Sequence, residues 1–181
     1  MHLNDTRDIK APGASVWAAI LDPEVLKACI PGCTSLTGNV ADGYEAVVTQ
    51  KVGPVKATFT GLVQISDIVE GKSLKISGEG KGGPAGFAKG GATVSFEPIA
   101  DGTRLTYAAE AHVGGKLAQL GSRIIDGFAK KLADDFFTRF QETVEGPVEE
   151  PAPEPAAAEA SEVGAEAPAE KKGWFKRLIG G

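Results

Sequence analysis

Between Val55 and Ile65 the chain is apolar or small at every second position, with Ala57, Phe59, Gly61 and Val63 completing the set and Lys56, Thr58, Thr60 and Gln64 standing between them. A period of two places the first set on one face of a β-strand and the polar set on the other. The segments "TSLTGNV", "GYEAVVTQKVG", "KSLKISGEGKGG", "AKGGATVSFEPIADG" and "TRLTYAAEAHVGG" carry related β patterning, separated by Asp-Gly, Glu-Gly and Gly-Pro turn signals. They predict a hairpin-linked antiparallel sheet covered on one side. Beyond Gly115 the period changes. Leu117, Leu120, Ile124, Phe128, Leu132, Phe136 and Phe140 recur every three or four residues, the stripe of an amphipathic helix of about seven turns. Its other flank, Arg123, Lys130, Lys131, Asp134, Asp135 and Arg139, reads as a solvated face, with a recognition surface as the alternative.

The chain opens on a strand-like segment, after which Pro12 and Ser15 start a short helix around Val16, Trp17, Ile20 and Leu21. Asp22 is placed to cap a second short helix with Pro23 at its first position, and Pro31 and Gly32 end it. Strand, two small helices, a meander and a long C-terminal helix give an α+β class in the helix-grip order.

A curved sheet gripping one helix encloses space when its inward side chains are small. Ala57, Gly61, Ala109 and Ala111 lie on the predicted inner faces, and Gly121 falls on the helix face turned toward them. The candidate cavity residues are Phe59, Gly61, Phe87, Phe96, Tyr107, Ala109, Gly121, Ile124 and Phe128. Close packing of helix on sheet would use the same small residues, so both readings stand at this point.

Charge divides the chain into three parts. Residues 145–170, rich in Pro, Ala and Glu, hold eight Glu and no Lys or Arg, while residues 171–181 carry Lys171, Lys172, Lys176 and Arg177; the body 1–144 is left at −1 of the total −5. With almost no large apolar residue, the acidic segment is expected to be a disordered tether. The terminal eleven residues, "KKGWFKRLIGG", would as a helix gather Trp174, Phe175, Leu178 and Ile179 into one arc opposite Lys176 and Arg177. That is an interfacial membrane-binding pattern, reversible and salt-sensitive, with a protein groove as the competing partner. A nearly neutral body without a basic stripe excludes nucleic-acid binding as an expectation. No leader and no spanning helix is expected, which places the protein in the cytoplasm.

The inventory for chemistry is thin. Cys29 and Cys33 in "CIPGC" are expected as reduced, partly buried thiols, since that spacing offers at most two metal ligands and His2 and His112 sit elsewhere. His112 shares an outward strand face with Glu110. "GEGKGG", Gly78 to Gly83, satisfies a dinucleotide spacing but leads into another strand, so no helix start is available to hold a pyrophosphate. A glycine-rich rim with Phe87 as an apolar flap tip is the alternative to a plain hairpin connection. No serine or cysteine is paired with a histidine for nucleophilic catalysis.

The stretches "VWAAILDPEVLKACIPGC", "VGPVKATFTGLVQI", "GEGKGGPAGFAKGGATV", "GTRLTYAAEAHVGGKLAQLGSRIIDG" and "KLADDFF" together resemble the carbon monoxide dehydrogenase G-subunit family, within the START-like (SRPBCC) helix-grip superfamily. The resemblance covers nearly all of residues 1–144. It implies a hydrophobic cavity and a role beside a carbon monoxide dehydrogenase-type molybdenum hydroxylase, which family members are thought to attach to the inner leaflet of the cytoplasmic membrane. It suggests a non-enzymatic peripheral membrane protein with no covalent cofactor, whose carried ligand is an isoprenoid quinone shuttled between bilayer and enzyme. An assembly factor for that hydroxylase and a cavity enzyme are the alternatives.

Overall fold

The structure, a computed structural model, describes residues 1–146. The order of elements is β1 (His2–Ile9), α1 (Gly13–Leu21), α2 (Pro23–Cys29), β2 (Cys33–Asn39), β3 (Gly43–Val52), β4 (Val55–Val69), β5 (Ser73–Lys81), β6 (Phe87–Ile99), β7 (Gly102–Gly114) and α3 (Ser122–Glu145). The seven strands form one sheet in the order β1-β7-β6-β5-β4-β3-β2, and every neighbouring pair is antiparallel. Strand β1 reaches the far edge because its His2–Ile9 run pairs with Glu110–Thr103 of β7. The sheet plus the long terminal helix is the helix-grip arrangement expected from the pattern.

Period-two segments become strands with the expected faces. Along β4 burial alternates from Val55 through Ile65 with the apolar set inward. On β7, Leu105 and Tyr107 are buried, Ala109 and Ala111 half-buried, and Glu110 and His112 exposed. Asp22 accepts hydrogen bonds from the backbone N–H groups of Glu24 and Val25 at 2.8 and 3.4 Å, with Pro23 as the first residue of α2. Gly32 closes the α2–β2 corner at φ +73°, packed so closely on β3 that a Cβ would sit 2.2 Å from the Thr49 carbonyl oxygen. Only glycine fits there.

The long helix begins later than its stripe suggested. Ala118–Leu120 form a single 3-10 turn, and Gly121, at φ +86°, breaks the chain before α3 starts at Ser122. A 3-10 turn spaces Leu117 and Leu120 much as an α-helix does, so the apolar period runs through a break that the backbone conformation of Gly121 creates. The first turn is also rotated: Ile125 is 8% exposed and Ile124 43%. From Phe128 onward Leu132, Phe136 and Phe140 turn inward as expected, accompanied by Phe137.

Three apolar clusters fill the interior. The largest joins β1, α1, the sheet and the end of α3 through Ile9, Val16, Leu105, Phe137 and Phe140. A second, Leu36, Tyr44 and Ala46, packs β2 and β3 beneath α2. A third, Val52, Leu117 and Ile125, with Phe59 and Phe128 against it, seats the start of α3.

Candidate functional site

Bulky side chains hold the two ends of α3 to the sheet, but its middle presents alanines. Ala129 and Ala133, one turn apart on α3, face a sheet surface that includes Ala46 and Ala92. Small residues facing small residues leave a gap. The result is a cavity of about 470 Å³, within the range of drug-sized ligand sites. Its sheet wall is Ala46, Val63, Ile65, Ile76, Ala92 and Val94; its helix wall is Ala129, Leu132, Ala133, Phe136 and Phe137; Leu26, Ile30 and Pro31 of the α2–β2 corner form a third side. Val63, Ile65, Ile76 and Ala92 sit in mid-sheet and point at the helix, yet each keeps partial exposure. Close packing would bury all four.

The wall is almost wholly apolar. Its polar side chains are two tyrosines, Tyr44 and Tyr107, and it includes no carboxylate, histidine, thiol or amine. The Tyr44 hydroxyl donates to the Leu21 carbonyl at 2.7 Å. Burial, aided by Asp22, pushes its phenol above the usual tyrosine range. Tyr107 stacks on Phe137 at 4.8 Å between centroids. Behind it, Arg7 on β1 pairs with Asp5 at 2.8 Å and with Asp134 of α3, and lies over the Phe137 ring at 5.8 Å. Burial raises the Tyr107 phenol, with Asp5 adding to the effect and Arg7 opposing it. Among the described residues no group of three or more His, Cys, Asp or Glu side chains is placed to hold a metal.

Of the nine candidate cavity residues, the structure places Tyr107 in the wall. Phe59 and Phe128 pack against the cluster at the start of α3, outside the cavity lining. Phe96 is a core residue with its ring edge-on to Trp17 at 5.4 Å, and Ala109 packs against the same cluster. Gly61 lies inward on β4 opposite Ala46 and Gly80. Phe87, Ile124 and Gly121 belong to the surface: Phe87 is 41% exposed at the start of β6, Ile124 43%, and Gly121 has open space around it. Sequence reasoning missed the α2–β2 wall and the Ala129–Ala133 pair. The helical spacing of two alanines against alanine-bearing strands was the available signal for the latter.

"GEGKGG" runs along β5 into a 3-10 turn at Gly83–Ala85 and then β6, with no α-helix start for a phosphate. Both cysteines are free, Cys29 buried and Cys33 half-buried. No helix among the described residues is long and apolar enough to cross a membrane. The tip residues Lys171, Lys172, Trp174, Phe175, Lys176, Arg177, Leu178 and Ile179, and the acidic segment before them from residue 147, lie outside the described residues.

Residues 6–145 match the family model for the G-subunit of carbon monoxide dehydrogenase (CoxG). The chain belongs to the CoxG family. A solved structure of a conserved protein from Geobacillus kaustophilus is 34% identical, with TM-score 0.74 over 80% of this chain and 95% of that one. A protein from Chromobacterium violaceum, 18% identical, aligns at TM-score 0.60 over 81% of this chain and 99% of its own. Ara h 8.0201, also 18% identical, aligns at 0.55 over 80% and 97%; these last two carry the fold alone. No curated protein matches the chain.

Proposed function

We propose that this CoxG-family protein is a non-enzymatic carrier that takes a hydrophobic ligand, an isoprenoid quinone, into the cavity under α3 and moves it between the cytoplasmic membrane and a carbon monoxide dehydrogenase-type molybdenum hydroxylase. The observation that carries this reading is the cavity itself. It is large enough for a ligand, its wall offers apolar contact on three sides, and that wall has no acid or base other than two tyrosines whose pKa values burial has raised. Such a wall suits holding better than bond-making. Family membership supports the choice of enzyme partner.

Membrane contact is supported by the sequence of the tip and by charge at one end of the described body. The β3–β4 turn, the β5–β6 connection and the β7–α3 connection lie together, since the Leu117 N–H donates to the Ala85 carbonyl at 3.1 Å and a Cβ on Gly53 would be 3.6 Å from Ile124. They and the strand ends beside them carry Lys51, Lys56, Lys81, Lys116 and Arg123, next to exposed Phe87 and Ile124. Acids stand only further in, at Glu79 on β5, 4.0 Å from Lys81, and at Asp126 on α3. The hairpin turns and strand ends at the other end carry Asp42, Asp67, Glu70 and Asp101 against Lys72 and Lys10, the latter beside Gly102 of the β6–β7 turn. An anionic leaflet attracts the first end and repels the second.

The test is ligand transfer between vesicles. Donor vesicles with anionic lipid and quinone are mixed with the full-length protein and quinone-free acceptors. Transfer should accelerate with protein concentration and slow in high salt, and removal of Lys171–Gly181 should cut the rate severalfold. A rate independent of the protein would refute the carrier.

A further inference from the structure

Successive antiparallel strands send the β3–β4 and β5–β6 connections to one end of the body and the β2–β3, β4–β5 and β6–β7 turns to the other. Of the five exposed large apolar residues among those described, four lie at these two ends. Phe87 and Ile124, 41% and 43% exposed, belong to the first; Ile68 and Val69, 45% and 50% exposed, belong to the second. Alternation would place two adjacent residues on opposite faces. Ile68 and Val69 are instead both exposed, at a bulge after Ser66 where Asp67 takes φ +48°. Phe87 is laid across the end of β7, where a Cβ on Gly114 would sit 2.2 Å from its ring. Scattered single apolar residues need no explanation, whereas apolar pairs ringed by charge have the anatomy of an interface.

The charges at the two ends are opposite in sign. Lys51, Lys56, Lys81, Lys116 and Arg123 stand at the end that carries Phe87 and Ile124. Asp42, Asp67, Glu70 and Asp101 stand at the end that carries Ile68 and Val69, against Lys72 and Lys10. We propose that the acidic end of one copy docks on the basic end of a second copy of this chain, Ile68 and Val69 against Phe87 and Ile124, with the charged rims paired around them. Like charge keeps each end from meeting its own equivalent, so the contact is heterologous and runs head to tail. The body 1–144 carries only −1 of the total −5, so repulsion between whole bodies does little to oppose it. Four apolar side chains and two rims of turns make a contact at the low end of the interface size range, which makes the association weak, reversible and salt-sensitive. The inference goes beyond the carrier reading and needs no ligand. It gives the basic end a second occupant, with which an anionic leaflet competes.

The test is sedimentation equilibrium of the full-length protein over a range of concentrations. Its mean mass should climb with concentration past that of a dimer. The association constant should fall about tenfold between about 0.1 M and about 1 M salt, as the Debye length shrinks from about 10 to about 3 Å. Lys81→Glu with Lys116→Glu removes the basic end, and Ile68→Ser with Val69→Ser removes the apolar centre of the acidic end, so each double variant alone should stay monomeric. Mixed, the two should form one-to-one dimers and nothing larger, because each still carries the end that the other lacks; that recovery also certifies both folds. Wild type that stays monomeric at every concentration, a mass that levels at that of a dimer, or a mixture that does not associate would overturn the head-to-tail contact. So would association that persists in both variants and disappears on removal of Lys171–Gly181, which would assign it to the tip.

Discussion

Ala92→Ile decides between an open cavity and a close-packed interface by the sign of its effect. Ala92 is inward on β6, paired with Ile76 on one side and Ala109 on the other, and its side chain faces Ala129 and Ala133 across the gap. Isoleucine adds roughly three methylene-sized groups at about 0.8 kcal/mol each when buried. About 0.5–1 kcal/mol of that is lost to fixing the side chain. The net expectation for delipidated protein is a stabilisation of about 1.5 kcal/mol, a rise in melting temperature of roughly 3–6 °C for a chain of this size. A β-branched residue also suits a strand. A filled interface predicts the reverse, since forcing methylenes into a packed interior costs about 1–3 kcal/mol. Denaturant melts of wild type and variant, each delipidated and each with added quinone, separate the cases. The cavity account predicts a higher midpoint for the empty variant and a smaller increment on adding ligand. A lower midpoint for the empty variant would refute it.

Two further outcomes follow from the corner and the thiols. Gly32→Ala should destabilise by at least about 2 kcal/mol, because it combines a left-handed backbone with a Cβ 2.2 Å from a backbone carbonyl; Gly71→Ala, at φ +70° with open space around it, should cost about 1 kcal/mol, and equal losses in denaturant melts would mean the corner is not tightly seated. Burial raises the Cys29 and Cys33 thiols, against weaker opposition from Thr143 at the one and from Ser35 at the other. The folded state therefore holds protons that the unfolded chain gives up above about pH 8.5, and stability should be full below that pH and decline as pH rises toward the folded values. Cys29→Ala should flatten the decline above about pH 8.5, and an unchanged slope there would remove Cys29 as its cause.

Much of the fold was legible because it rests on local periodicity. The alternation from Val55 to Ile65 and the Asp22–Pro23 cap each depend on residues adjacent in sequence, and both recur in the structure. The stripe on α3 was legible from Phe128 onward but not at its start, where a 3-10 turn imitates helical spacing and only the left-handed conformation of Gly121 marks the break. The cavity was harder to read. Tyr107 was placed by strand alternation, but the aromatic residues Phe59, Phe96 and Phe128 went to the packed clusters that hold the ends apart. The space opens where Ala46 and Ala92 of the sheet meet Ala129 and Ala133 of α3, between rings such as Phe136 and Phe137 that also line it. The wall from Leu26, Ile30 and Pro31 exists only because Gly32 folds the α2–β2 corner back on β3, a tertiary contact that no sequence period records.

The central claim is that the space under α3 is occupied by a neutral hydrophobic ligand, and the direct measurement is native mass spectrometry of full-length protein purified from its own host without detergent, followed by organic extraction. The account predicts one stoichiometric adduct that extracts as a quinone and is lost when the protein is delipidated. Protein that emerges at its bare mass, with nothing in the organic phase, would contradict it.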